Sequence, residues 1–230
     1  MNVLDFLFGL EAKRQRLLKK IPESPLKDFL SVPFPLDDNE ISNSPILAVD
    51  FETTGLNSLT DQILSMGFVK VDNYAIKLGT AEHHIINTQG ELKGENVAIH
   101  QITDDEKAAG KALEHAVEAL LEALKGRVML VHFNRIEKNF LERACKQLYG
   151  YAPVFPMIDT LMIAKRRMDQ STAPYDPSKL RLTNLREHHG LPGYFAHNAL
   201  NDAIATVELL FAEVSLMKRN EETPLKQLLL

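Results

Sequence analysis

Three stretches of strand character, residues 46–51, 63–71 and 74–87, follow one another with breaks of eleven and two residues. Strands joined that closely pair antiparallel, because a parallel return needs a crossover of a dozen or more residues. The pattern then changes. Residues 104–125 are rich in Ala, Leu, Glu and Lys and read as helix, broken at Gly110 and stopped at Gly126. RVMLVHF supplies a fourth strand, a helix is expected from about Arg135 to Tyr149, and residues 154–158 make a fifth strand. Two more helical stretches follow, then a last helix from Ala199 to about Lys218 with Ala199, Ala203, Val207, Leu210 and Val214 along one face. A strand meander followed by alternating helices and strands predicts an α/β domain, a mixed five-stranded sheet flanked by helices.

At 230 residues the chain has room for one such domain and something smaller. Residues 1–21 place Val3, Leu7, Leu10, Leu17 and Ile21 at helical spacing, with Lys13, Arg14, Arg16, Lys19 and Lys20 gathered toward the end. This amphipathic helix could pack on its own domain, dock a partner or meet a phosphate backbone. Pro22, Pro25, Pro33, Pro35 and Pro45 interrupt regular structure after it, so residues 22–44 read as an irregular connection. The expected division is 1–44 as N-terminal extension, 45–218 as the domain and 219–230 as a tail.

Composition excludes several classes. With 25% charged and 45% hydrophobic residues the chain is neither disordered nor fibrous. It has no apolar run of about 18 residues, and its first Lys and Arg follow the apolar stretch, the reverse of a secretory signal, so no membrane is expected and a cytoplasmic location is. The net charge of -5 does not advertise a nucleic-acid partner, although carboxylates that bind cations make such a sum more negative than the working surface. Cys145, the single cysteine, reads as a small buried residue and not as a nucleophile.

The chemistry concentrates in AVDFETTGLNS, residues 48–58. Side chains two apart in a strand share a face, so Asp50 and Glu52 converge while Val49 and Phe51 point the other way. A bare D-x-E also fits an edge strand with two solvated acids. Forced together in an apolar setting, the two anions repel, and a hard divalent cation such as Mg²⁺ or Mn²⁺ relieves that repulsion. The hydroxyls of Thr53 and Thr54 and the turn at Gly55 would let backbone approach a substrate.

VDFETTGL resembles the first motif of the DEDDh (DnaQ-like) 3′-5′ exonucleases, the family of the epsilon proofreading subunit of bacterial DNA polymerase III. HFNRIEKNFL, residues 132–141, matches the family's second motif in spacing but carries Glu137 where the family has Asp. HNALND supplies His197, Ala199 and Asp202 of the last motif, and AIHQIT, residues 98–103, is similar to the segment between the first two. The resemblance covers about residues 45–217 and implies an RNase H-like fold with an added N-terminal helix.

It also implies a mechanism and a cofactor. Two Mg²⁺ or Mn²⁺ ions would be held by Asp50, Glu52, Glu137 and Asp202, with His197 as general base, a duty suited to imidazole near neutral pH. Asn198 is positioned to cap the last helix, which leaves His197 on the loop before it and Asp202 in its first turn. Thr53, Gly55 and Leu56 resemble positions that contact the terminal nucleotide, Leu56 wedging against its base. His100 and Ile102 either line the same pocket or pack in core and turn. Glu137 is one methylene longer than Asp, which would disturb tight Mg²⁺ geometry unless the surroundings adjust; an active enzyme is expected, with lowered activity or an altered metal preference both open.

The implied activity is hydrolysis from the 3′ end of single-stranded nucleic acid, DNA favoured, releasing nucleoside 5′-monophosphates. An RNA-trimming or oligoribonuclease-type enzyme remains open, as does a catalytically weak binding or scaffold module. His83 and His84 are strand neighbours and face opposite sides, which argues against a shared metal. Lys165, Arg166, Arg167, Lys179, Arg181 and Arg186 form either a solvated surface or a phosphate path. The terminal TPLKQLLL is similar to short peptides that bind the sliding clamp, so contact with a clamp or polymerase through the termini is one option and a frayed or core-docked tail the other. The oligomeric state is open.

Overall fold

The structure, a computed structural model, describes residues 3–35, 38–88, 102–170 and 174–230. At its centre lies β1 (Ile46–Thr53), antiparallel to β2 (Ile63–Asp72) on one side and parallel to β5 (Val128–Val131) on the other. Beyond β5 runs β6 (Met157–Asp159), also parallel. The expected third strand over 74–87 is two strands, β3 (Ala75–Ile76) and β4 (Glu82–Ile85), both paired antiparallel with β2. A 3-10 turn at Leu78–Thr80 separates them, its Thr80 hydroxyl donating to the Lys77 carbonyl. Among the described residues the sheet therefore has six strands and not five, while its mixed character and the antiparallel start are as expected.

The alternation of β1 sorts the two layers. Leu47, Val49 and Phe51 enter a core with α2 (Pro25–Ser31), α4 (Leu113–Leu124) and α5 (Arg135–Tyr149). Ile46 and Ala48 enter the opposite core with α8 (Ala199–Ser215), through Ala203, Val207, Leu210 and Val214. Asp50 and Glu52 continue the α8 face at the point where the apolar residues stop. The remaining helices are α1 (Val3–Leu18), α3 (Asp104–Ala108), α6 (Thr160–Met168) and α7 (Leu182–His188).

One segment differs from the sequence reading. The stretch 22–44 is not irregular throughout, because Ser24 caps α2 and Pro25 occupies its first turn, where its missing N–H costs nothing. Leu26, Phe29 and Leu30 of that helix are fully buried. The C-terminal leucines take the core-docked option: Leu225, Leu228 and Leu229 are buried, and the Leu230 N–H donates to the Met157 carbonyl at 3.1 Å. Covering the open edge of β6 hides backbone groups that would otherwise invite another strand. Leu228 and Leu229 would have to leave this core before they could bind a clamp. Among the described residues no helix is long and apolar enough to cross a membrane.

Candidate active site

The site forms where the start of α8 crosses the end of β1. Asp50, Glu52 and Asp202 each offer a carboxylate oxygen, and these oxygens lie within 4.8 Å of one another. Gly67 makes the approach possible. It sits opposite Asp50 in the β1–β2 register, and a Cβ there would lie 2.1 Å from the Leu200 nitrogen and 2.2 Å from the Ala199 carbonyl carbon. Only a residue without a side chain lets the α8 backbone touch the sheet at this point.

The entry to α8 is built as the sequence suggests. Asn198 caps it, accepting the Asn201 N–H at 3.1 Å, and Asp202 falls in the first turn. His197 precedes the cap, is exposed, and has φ = 64°, a left-handed conformation uncommon for residues with a side chain. Both Asp202 oxygens have protein partners: the Tyr194 hydroxyl donates to Oδ1 at 2.6 Å and the Asn198 N–H to Oδ2 at 3.1 Å. Tyr194 in turn lies under the Arg186 guanidinium, 4.7 Å from its ring centroid. Arg186 is itself buried, donating to the Ala205 and Pro192 carbonyls.

Glu137 enters from α5 and is buried. Its Oε2 has no hydrogen-bond partner among the described residues. The start of α5 is set by Asp159 at the end of β6, which accepts the N–H groups of Phe133 at 3.0 Å, Asn134 at 2.9 Å and Leu161 at 2.9 Å. One carboxylate thus ties the turn carrying Glu137 to the start of α6.

Electrostatics follow from crowding. Burial pushes the Asp50 carboxyl well above the ordinary carboxylate range, and the charges of Glu137, Asp202 and Glu52 push it further. Burial likewise raises Glu137, against hydrogen bonds from its own backbone and that of Phe51, and the charges of Asp159 and Glu52 add to it. Asp202 is raised by burial and by Glu52, while the Tyr194 hydrogen bond pulls it down. Anions that suppress one another's ionisation, beside a buried carboxylate oxygen with no partner, fit a hard divalent cation.

Around the carboxylates, Thr53 donates its hydroxyl to the Gly55 carbonyl at 2.8 Å, shaping the turn after β1. Leu56 beyond it is 79% exposed, available to a substrate and not to the core. Arg143 of α5 holds this loop through the Ser58 and Asp61 carbonyls. Ile102 is buried and also lines a cleft beside His197. His100, with most of the 98–103 segment, lies outside the described residues. His83 and His84 diverge, His84 buried against Glu82 and His83 exposed. Cys145 is buried and its thiol is pushed up to about 12 by that burial, as an inert core residue requires. Two residues of the basic stretch are held internally, Arg186 pairing with Glu208 and Arg167 with Glu213.

Tyr194, Asp159 and Gly67 are not among the residues singled out from sequence. Gly67 had a signal, an isolated glycine inside a strand pattern. Asp159 had a weaker one, an Asp at the junction of strand and helix. Tyr194 had none, since its reach to Asp202 depends on the path of the loop between them.

The family model described as exonuclease (RNase T) matches residues 47–210, and the chain belongs to this exonuclease family. The PolC-type DNA polymerase III of Thermotoga petrophila is 27% identical over 192 residues, covering 83% of this chain but 13% of that protein. The 3′-5′ exonuclease DinG of Staphylococcus saprophyticus is 29% identical over 181 residues, 78% of this chain and 19% of the relative. The chain therefore spans under a fifth of the length of these relatives. In fold it is similar to E. coli exonuclease I bound to single-stranded DNA, with a TM-score of 0.64 and 19% identity, covering 78% of this chain and 42% of that one.

Proposed function

We propose that this chain is a metal-dependent 3′-5′ exonuclease acting on single-stranded nucleic acid, DNA favoured, and releasing nucleoside 5′-monophosphates. The observation that carries the reading is the convergence of Asp50, Glu52 and Asp202 within 4.8 Å, from a strand and a helix, beside an exposed His197. Three acids crowded in a partly enclosed site either keep protons or take up a countercharge, and phosphate chemistry uses such a countercharge.

Asp50, Glu52 and Asp202 would hold Mg²⁺ or Mn²⁺, with Glu137 contributing beside Asp50. When bound, the cations supply charge relief on the phosphate and acidify the attacking water. His197 would accept that water's proton at an imidazole nitrogen, its position on the α8 entry loop keeping the ring at the solvent boundary. Leu56 and the Thr53–Gly55 turn would lie along the terminal nucleotide. DNA is favoured because relatives include a DNA polymerase and the fold is similar to an exonuclease solved with single-stranded DNA. Association with a polymerase belongs to the same proposal.

Chromatography of the products tests this reading. Nucleoside 5′-monophosphates should accumulate from an oligodeoxynucleotide only when Mg²⁺ or Mn²⁺ is present. Products longer than mononucleotides, or no products, would count against it.

A further inference from the structure

Phe195 is a large apolar residue left 69% exposed. Its backbone is fastened: the Asn201 side chain, in the first turn of α8, donates to the Phe195 carbonyl at 3.2 Å, while the Asn201 N–H is held by Asn198. A ring kept in water by a pinned backbone forgoes the burial that most phenylalanines obtain. The ring rims a cleft of about 280 Å³ between β4 and the α8 entry. Ile85 and Ile102 give this cleft apolar walls, and His83, His197 and Asn201 give it hydrogen-bonding groups. A flat aromatic face, apolar sides and a few polar edges match the chemistry of a nucleobase better than that of a sugar or a bare phosphate.

The cleft and the acidic site share their framework, the α8 entry and the β4–β2–β1 register. His197 lines it while standing five residues before Asp202. His83 lines it while lying in register with Gly67, itself the register partner of Asp50, so β4, β2 and β1 align the cleft with the carboxylates. A strand whose terminal phosphodiester reaches Asp50 would bring a base to this rim.

We propose that Phe195 is the stacking platform of a nucleobase subsite in this cleft, binding one base among the last three of a single-stranded substrate. The inference rests on the exonuclease reading and adds a residue that does not touch the reacting atoms. Because every base has a π face, the platform is tolerant of base identity.

A chemical double-mutant cycle tests it. The quantity is kcat/KM for first-nucleotide release, with Mn²⁺, from decamers carrying an abasic site at each of the last three positions or at none. Phe195→Ala should lower kcat/KM on the complete decamer by about 5- to 100-fold, the range of single base–aromatic stacks. Phe195→Tyr should keep it. The loss should vanish on the one probe whose missing base is the stacked one. Fluorescence anisotropy of a labelled decamer on Asp50→Asn, with and without Phe195→Ala, should show the same ratio in binding. An unchanged kcat/KM in Phe195→Ala, or an equal fall on all abasic probes, overturns the platform while wild-type hydrolysis leaves the exonuclease reading standing. A wild-type protein that neither cuts nor binds any decamer removes both.

Discussion

The hydroxyl of Tyr194 and the carboxylate of Asp202 are joined by a 2.6 Å hydrogen bond that fixes one oxygen of a metal-ligand candidate from outside the cluster. The other oxygen is fixed by the Asn198 N–H, so the orientation of Asp202 is determined before any ion arrives. Outer partners of ligating carboxylates typically tune metal affinity by about 10- to 100-fold.

Tyr194→Phe should therefore weaken Mn²⁺ binding by about tenfold or more while leaving the fold intact. Calorimetric titration of Mn²⁺ into wild type and variant measures this directly. Equal affinities would show that the phenol packs without positioning.

Gly67→Ala should be costly for a steric reason, because Gly67 is buried between β1 and the α8 backbone. The new methyl would meet the α8 backbone at 2.1 Å, and backbone cannot rotate away as a side chain can. We expect a loss of about 3 kcal/mol or more in denaturant stability, together with loss of metal binding as Asp202 is pushed from Asp50. A variant as stable as wild type would mean that α8 is free to shift.

The metal-free protein should lose stability as the pH rises. Asp50, Glu137 and Asp202 have folded-state values above those of the unfolded chain, near 4. From that pH upward the folded state holds more protons than the unfolded one, so their stabilising contribution is present in acid and is lost as pH passes through the raised values. In chelator, the melting temperature should fall as the pH is raised above the unfolded-chain carboxylate range near 4, and Asp50→Asn should flatten the slope. Mn²⁺ at pH 8 should restore stability. A slope identical in wild type and Asp50→Asn would remove Asp50 from the account.

Glu137→Asp should retain hydrolysis and change the ratio of Mg²⁺- to Mn²⁺-supported rates. The buried Oε2 without a partner marks where the longer side chain ends, and withdrawing it by one methylene alters its reach toward the cluster. Rates measured in both ions decide it; an unchanged ratio would make the extra methylene immaterial.

Much of this arrangement was legible in the sequence because it is local. The period of two in β1 placed Asp50 and Glu52 on one face, and the Asn198 cap placed Asp202 in the first turn of α8. The strand count failed at Leu78–Thr80, where a 3-10 turn divides a run that looked continuous. The connection 22–44 hid α2 because Pro25 reads as a breaker, although at a first turn it starts a helix. Tyr194 owes its contact with Asp202 to a loop path, and the approach of α8 to β1 depends on Gly67; neither is a local property.

The most direct test is a gel assay on 5′-labelled single-stranded DNA and RNA of one sequence, with Mg²⁺ and with Mn²⁺, comparing wild type with Asp50→Ala. The account predicts a ladder shortening from the 3′ end, stronger on DNA, and slowed at least about a thousandfold in Asp50→Ala. Full-length substrate with both ions, or an equal ladder from Asp50→Ala, would contradict it.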